Sequence, residues 1–211
     1  MLIVKHLRNR IANNTKLSYL IRSSPFGQIA ILWSLFLRRS GFPKDRPKIL
    51  RVLIPKPSLK VKKQLSNLFP DASLTTCPEI DVIADNIEAF LNGDNIKFSL
   101  EMVCMDICTK FQKKVLRAEH KIPRGRVSTY HYIASHLNNP KGTRAVGNAL
   151  ANNPFPIIIP CHRVIRADRT LGGYQGGLDM KRALLKAEGI EFDKLGRVAT
   201  TDFFYEDSRK R

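Results

Sequence analysis

The chain has 211 residues, 43% of them apolar, a length and composition that allow a buried core in one large or two small domains. Thirty-six Lys and Arg against 18 Asp and Glu leave a formal net charge of +18, which points to a polyanionic partner such as nucleic acid or to an anionic membrane surface. Four cysteines (Cys77, Cys104, Cys108 and Cys161) at irregular spacing fit free thiols in a reducing compartment and argue against a disulfide framework. There is no C-x-x-C pair and no histidine pair at zinc spacing, and Cys104 with Cys108 reads as buried structure.

The excess charge lies toward both ends. Residues 1–44 carry eight basic and no acidic residues, residues 45–120 twelve against ten, and residues 121–211 sixteen against eight. The opening stretch "MLIVKHLRNRIANNTKLSYLIRSS" is basic and partly apolar, like a transit peptide or an interfacial segment, but it lacks an uninterrupted apolar centre. The run "IAILWSLFL", residues 29–37, is far short of the roughly 18 residues that span a bilayer and reads as a buried strand.

Three β-rich segments come first: Lys16 to Ser23, Gln28 to Leu35 and Ile49 to Ile54, the first two joined as a hairpin across Pro25 and Gly27. Val61, Leu65 and Leu68 then follow helical spacing behind a Ser58 cap, and Ile80, Ile83, Ala84, Ile87 and Leu91 repeat it behind Pro78. Together these predict a small α+β domain of about a hundred residues.

After the break "NGDN" the character changes. The pattern predicts a helix from about Lys110 to His120, then a helix Tyr130 to Leu137 capped by Thr129, a turn over Asn138 to Gly142, and a helix Arg144 to Ala151 capped by Thr143. Two short helices about a tight turn form a helix-turn-helix candidate. The second helix presents Ala145, Gly147, Asn148, Ala149 and Ala151, with Arg144 its one long side chain. Such a face suits close approach to a backbone or narrow groove better than base readout in the major groove, and it equally suits packing on another helix.

"NPFPIIIPCHRVI", residues 153–165, reads as a buried strand over Ile157 to Ile159 that ends at Pro160 and presents Cys161 on a rigid edge. A thiol becomes a nucleophile where a base or cations favour the thiolate, and His162, Arg163 and Arg166 are at hand. Further on, Asp179 caps a helix with Met180, Ala183, Leu184 and Ala187 inward and Gly189 at its end. Glu188 falls in its last turn, where the helix dipole opposes a negative charge by about 0.3–1 kcal/mol. A histidine needing an acceptor is one reason for that carboxylate; ordinary solvation is the other.

The segments "FQKKVL", "IPRGRVSTY", "TRAVGNALANNPFPIIIPCHRVI" and "GGYQGGLDMKRALLKAEG" resemble the alkylguanine-DNA alkyltransferases, also called methylated-DNA–protein-cysteine methyltransferases, over residues 105–190. The resemblance implies an α+β chain: a variable ribonuclease-H-like domain (1–103), a helical, winged-helix-like DNA-binding domain with a helix-turn-helix (104–195) and a C-terminal tail (196–211). It implies a single-turnover DNA repair enzyme in which Cys161 accepts the alkyl group from O6-alkylguanine, His162 acts as base through water, and Glu188 orients His162. Tyr130 would hydrogen-bond the guanine and assist nucleotide flipping. Arg144, Ala145, Gly147, Asn148 and Thr129 would contact DNA, with Arg144 filling the vacated stack. Asn153, Val164, Tyr174 and Gln175 would form the substrate pocket, with Gln175 in place of a commonly smaller residue.

The resemblance further implies no cofactor and no metal, a monomer acting on double-stranded DNA with no membrane association, and an intracellular, DNA-associated location. The competing readings are a damage-recognition protein without transfer activity, against which Cys161 argues, and a helix-turn-helix transcription factor. A cysteine hydrolase or redox enzyme is weaker still, because no resolving cysteine or oxyanion motif stands out.

Overall fold

A computed structural model describes residues 16–36 and 46–206, and the basic opening stretch 1–15 lies outside them. The chain divides into two compact units, residues 1–108 and 109–211. Among the described residues no helix is long and apolar enough to cross a membrane.

In the first unit, β1 (Ser18–Arg22) and β2 (Ile29–Phe36) form the expected hairpin. Its turn is closed by Gly27 N–H donating to Ser24 O at 2.9 Å and Ser24 Oγ donating to Gly27 O at 2.6 Å. β3 (Arg46–Leu53) runs antiparallel to β2, and the short β4 (Ser73–Leu74) lies parallel to β1, giving the order β3-β2-β1-β4. Residues 29–34 of β2 are buried without alternation, the pattern of a strand covered on both faces. Helix α1 (Val61–Leu68) places Val61 and Leu65 on Ala30, Leu32, Leu50 and Leu53, with Phe69 and Cys104 completing that cluster. Helix α2 (Pro78–Leu91) packs against β1 and is tied to it by Arg22 on Asp81 at 2.8 Å. Ser58 does not cap α1: the helix starts behind Lys60 with no side-chain cap. Buried Gln64 instead secures that region by donating to Ile54 O and Leu59 O.

The second unit opens with α3 (Lys110–His120), capped by Thr109 accepting from Gln112 N–H. α4 (Tyr130–His136) follows, capped by Thr129 accepting from Tyr132 N–H at 3.1 Å. A single 3-10 turn, Pro140–Gly142, leads into α5 (Thr143–Ala151). Thr143 is itself the first residue of α5, which starts behind Gly142 without a side-chain cap. Gln112 Nε2 donates to Ala149 O and Asn152 O and so ties α3 to the end of α5.

β5 (Ser128–Thr129) pairs in parallel with β6 (Val164–Ile165). α6 (Gly177–Ala187) begins two residues before Asp179, behind Gly176, so Asp179 sits in the first turn rather than at the cap. Its buried face is Met180, Lys181, Leu184 and Leu185, whereas Ala183 is half-buried and Ala187 exposed. Val127, Ile165, Leu171, Leu185 and Val198 form a core against which Ile190, Phe192 and Phe203 pack. Residues 196–206 therefore belong to this unit's packing: Phe204 N–H donates to Val127 O, Ser128 Oγ to Phe204 O, and Tyr205 Oη to Ala118 O. Residues 207–211 lie outside the described part.

Candidate active site

The segment before Cys161 is not the strand its composition suggests. Ile157, Ile158 and Ile159 are buried as expected, but the chain folds back on itself, with Ile159 N–H donating to Phe155 O at 2.8 Å and Pro156 bridging Ile159. Ile157 has φ 75°, a left-handed conformation that a β-branched residue adopts only under constraint, at about 1–3 kcal/mol. Asn153 supplies the constraint. Fully buried, it accepts from Phe155 N–H at 2.9 Å through Oδ1 and donates to Ile159 O at 3.1 Å through Nδ2. Cys161 then opens a 3-10 turn, Cys161–Arg163, that runs into β6.

The thiol lines a cavity of about 330 Å³. Tyr130 from the start of α4 and Gly147, Leu150 and Ala151 from α5 form one part of the lining, and Gly173, Tyr174 and Gln175 from the loop before α6 another. Gln175 Nε2 donates to Asn153 O at 2.8 Å, which fixes its side chain at the cavity. Gly172 has φ 67°, and a Cβ there would stand 3.1 Å from Tyr130 Oη, so only glycine lets the hydroxyl come this close. Asn153 and Val164 support the cavity rather than line it: both are fully buried, and Val164 O accepts from Lys181 Nζ at 2.7 Å.

His162 and Glu188 meet. His162 Nε2 stands 2.9 Å from Glu188 Oε1, with His162 fully buried and Glu188 nearly so. Arg163, which the sequence offered only as a nearby cation, grips the same carboxylate through Nε at 2.9 Å and Nη2 at 2.7 Å, and donates from Nη1 to Ile122 O at 2.6 Å. Burial pushes the Glu188 carboxyl up, but hydrogen bonds and charge from His162 and then Arg163 outweigh it and hold it at about 2. Burial lowers the His162 pKa despite the neighbouring carboxylate, so the ring is neutral. With Nε2–H donating to Glu188, the basic lone pair is on Nδ1.

The resting thiol is not activated. Burial first, and then the charge that Glu119 carries once ionised, push Cys161 up to about 12, against the pull of the Asn153 side chain and Lys181. Any nucleophilic chemistry at Cys161 must remove its proton as the reaction proceeds. Tyr130 is also raised, by burial and then by Cys161 and Glu119, which keeps its hydroxyl a neutral donor.

On the helix-turn-helix, Arg144, Ala145 and Asn148 are exposed and Gly147 half-buried, whereas Ala149, expected on the same open face, is buried. Thr129 is buried at 2% exposure and its hydroxyl is spent on the α4 cap, so its side chain starts that helix rather than facing outward. Two buried ionisable groups, Lys181 and Glu119, escaped the sequence reading, although helical phase places both on core faces.

Comparison with known proteins gives a consistent result. Residues 110–190 match the family model described as the DNA binding domain of 6-O-methylguanine DNA methyltransferase. The methylated-DNA–protein-cysteine methyltransferase of Methanosarcina acetivorans is 47% identical over 131 residues, 62% of this chain and 81% of that relative. The enzyme of the same name from Methanothermobacter thermautotrophicus is 41% identical over 114 residues, 54% of this chain but only 64% of that relative, so the match spans less than two thirds of its length. Among solved structures, Mycobacterium tuberculosis OGT in complex with DNA superposes with a TM-score of 0.61 at 29% identity, over 81% of this chain and 92% of that one.

Proposed function

The chain belongs to the methylated-DNA–protein-cysteine methyltransferase family, and from that premise we propose that it repairs DNA by moving a methyl or small alkyl group from O6-alkylguanine to Cys161 in one irreversible step. The observation that carries this reading is the buried Cys161 lining a cavity, followed directly by a His162–Glu188 pair held by Arg163.

In the reaction Cys161 Sγ attacks the alkyl carbon and the bond from that carbon to guanine O6 breaks. The thiol proton passes through water to His162 Nδ1, while Glu188 stabilises the imidazolium that forms. Tyr130 donates a hydrogen bond to the departing guanine, offsetting the charge on the leaving group. A thioether and the guanine anion result, the anion then takes up through water the proton held on His162, and because the alkylated base brings its own leaving group no cofactor enters. Coupling proton loss to attack reconciles a resting thiol near 12 with nucleophilic chemistry, because a soft, desolvated sulfur is unmasked only as the carbon arrives.

The target base must leave the duplex to reach this cavity, at a cost of a few kcal/mol. We assign Arg144 to the vacated stack and the small exposed face of α5, with Ala145, Gly147 and Asn148, to close approach in the groove. Asn153, Val164, Tyr174 and Gln175 shape the guanine pocket. Thr129 serves the same face indirectly, by starting the helix that carries Tyr130. The partner is double-stranded DNA bound by a monomer, and the location is with DNA inside the cell.

We further assign residues 1–103 a ribonuclease-H-like architecture, supported by an antiparallel β1-β2-β3 with β4 parallel to β1. The helical unit that follows, with residues 196–206 packed into it, is assigned a winged-helix-like architecture, supported by α4-turn-α5 beside the β5-β6 ladder. Intact-mass measurement after mixing with duplex DNA containing O6-methylguanine tests the function: one methyl equivalent on the Cys161 peptide supports it, and an unmodified protein overturns it.

A further inference from the structure

The site uses one buried carboxylate, Glu188, while a second in the same unit takes no part in it. Glu119 lies in the last turn of α3, fully buried, and neither of its carboxyl oxygens has a hydrogen-bond partner among the described residues. Val115, Leu116 and Ala118 are buried on the same helix, and residue 119 continues that core face in phase. An apolar side chain would be the ordinary occupant, because an unpartnered buried anion is among the most costly groups a fold can hold.

The turn that carries Glu119 is joined to the reaction centre: Glu119 O accepts from Ile122 N–H at 2.9 Å, and Ile122 O accepts at 2.6 Å from Arg163 Nη1, part of the guanidinium that grips Glu188. The ionisable groups that sense Glu119 are Lys181 on α6, Arg163 and Cys161 in the 3-10 turn, Tyr130 at the start of α4, and Tyr174 in the loop before α6. The Tyr174 hydroxyl is likewise buried without a partner. Lys181 and Arg163 favour the Glu119 anion, yet burial outweighs both and holds the carboxyl at about 8. At neutral pH the side chain is therefore a neutral acid among groups that would feel its charge. A negative charge there opposes a second negative charge on Cys161.

We propose that Glu119 is a positioning residue for alkyl transfer: neutral, it lets the Cys161 thiol give up its proton to His162, and ionised, it opposes that loss and slows the reaction. This rests on the transfer activity proposed above. Glu119 is not consumed, and the proton and leaving group follow the path already described; what changes with its charge is the ease of forming sulfur anion.

The test is the single-turnover rate of methyl transfer against pH in the wild-type chain, Glu119→Gln and Glu119→Leu. The expected wild-type profile bends over at alkaline pH, while both variants, neutral throughout, keep rising. The variants should match the wild type within about twofold at about pH 6 and exceed it by about threefold or more at about pH 9, above the Glu119 value of about 8. Leucine guards against a glutamine that fails to fold, since an apolar side chain suits this pocket.

A bend that persists in both variants overturns the proposal and assigns the titration to Lys181, which burial pushes down to about 8. Alkylation of Cys161 by iodoacetamide across the same pH range, without DNA, provides a readout independent of repair. If the wild type transfers no methyl at any pH, the repair reading fails; if alkylation shows the same wild-type bend and its loss in the variants, the Glu119 assignment stands by itself. Identical alkylation profiles in all three proteins overturn it.

Discussion

The two units bury different chemistry. In the first, the sheet and its helices enclose mainly aliphatic side chains, and among the described residues the buried polar groups are Ser18, Ser34, Arg51 and Gln64. In the second, Glu119, Asn153, His162, Arg163, Lys181 and Glu188 are all buried, and three of them, Glu119, Asn153 and Lys181, act on the Cys161 thiol. Apolar burial stabilises by about 25 cal/mol per Å², whereas each buried ion costs several kcal/mol unless its hydrogen bonds are nearly complete. The first unit is thus composed for stability, and the second gives some of it up to hold reactive groups in a dry place.

Within the second unit, the two glutamates show what decides the outcome. Glu188 receives His162 and the Arg163 fork and is held at about 2; Glu119 receives nothing and rises to about 8. Burial is common to both, and donors make the difference.

The sharpest way to separate the units is to remove the thiol. Cys161→Ser should abolish transfer while retaining lesion binding and the fold, since a hydroxyl is far less ionised than a thiol near neutral pH; mass spectrometry and gel shift read the two effects. A methyl group found on Cys77, Cys104 or Cys108 instead would defeat the mechanism.

Glu188→Gln should come next, costing about 3–5 kcal/mol because it leaves Arg163 buried without its counter-charge, and it should cut transfer as well. In the first unit, Leu50→Ala should cost a comparable 2–5 kcal/mol through a cavity yet leave the transfer rate of the folded protein unchanged. Denaturant melts and single-turnover rates together test that contrast, and a transfer defect in Leu50→Ala would erase it.

Titration of stability should separate the carboxylates. Glu188 is depressed in the folded state, so its contribution is complete above its ordinary value of 4.5 and is lost as pH falls toward about 2. Glu119 is raised, so the folded state holds a proton the unfolded chain has released; its cost is absent below 4.5, grows as pH rises and is complete above about 8. Glu119→Leu should therefore stabilise the protein by roughly 3 kcal/mol at neutral pH and by little in acid, where thermal melts should converge with the wild type.

The smallest effect on stability should come from the surface. Arg144→Ala should change it by about 0.5 kcal/mol or less, yet slow repair of duplex DNA much more than reaction with the free alkylated base. Equal slowing of both would remove Arg144 from base extrusion.

Much of this architecture was legible because it is periodic. The three strands, the helix Lys110–His120 and the Thr129 cap follow from spacing and cap chemistry, and the residues around Cys161 carried the family resemblance. The backbone from Phe155 to Pro160 was not legible: an apolar run between prolines reads as a strand, and nothing local announces that Ile157 turns left-handed. That turn depends on Asn153 bonding to both of its ends. The expected caps at Ser58, Thr143 and Asp179 failed for a related reason, since tertiary contacts set where each helix starts. Lys181 and Glu119 stood in phase with buried neighbours, a signal outweighed by the rule that charged residues face water.

The contacts from residues 203–206 to Ala118, Val127 and Ser128 have a consequence for how the protein is made. Emerging from a ribosome, the first unit's hairpin can close between neighbours in sequence, and such local closure is fast. The second unit cannot do the same. Ser128 waits 76 residues for Phe204 and Ala118 waits 87 for Tyr205, and Ser128 adjoins the cap that starts the helix of Tyr130. A nascent chain therefore cannot complete the packing behind the α4 cap until residues 203–206 have been added, and the support of the helix that carries Tyr130 is finished late in synthesis rather than progressively along it.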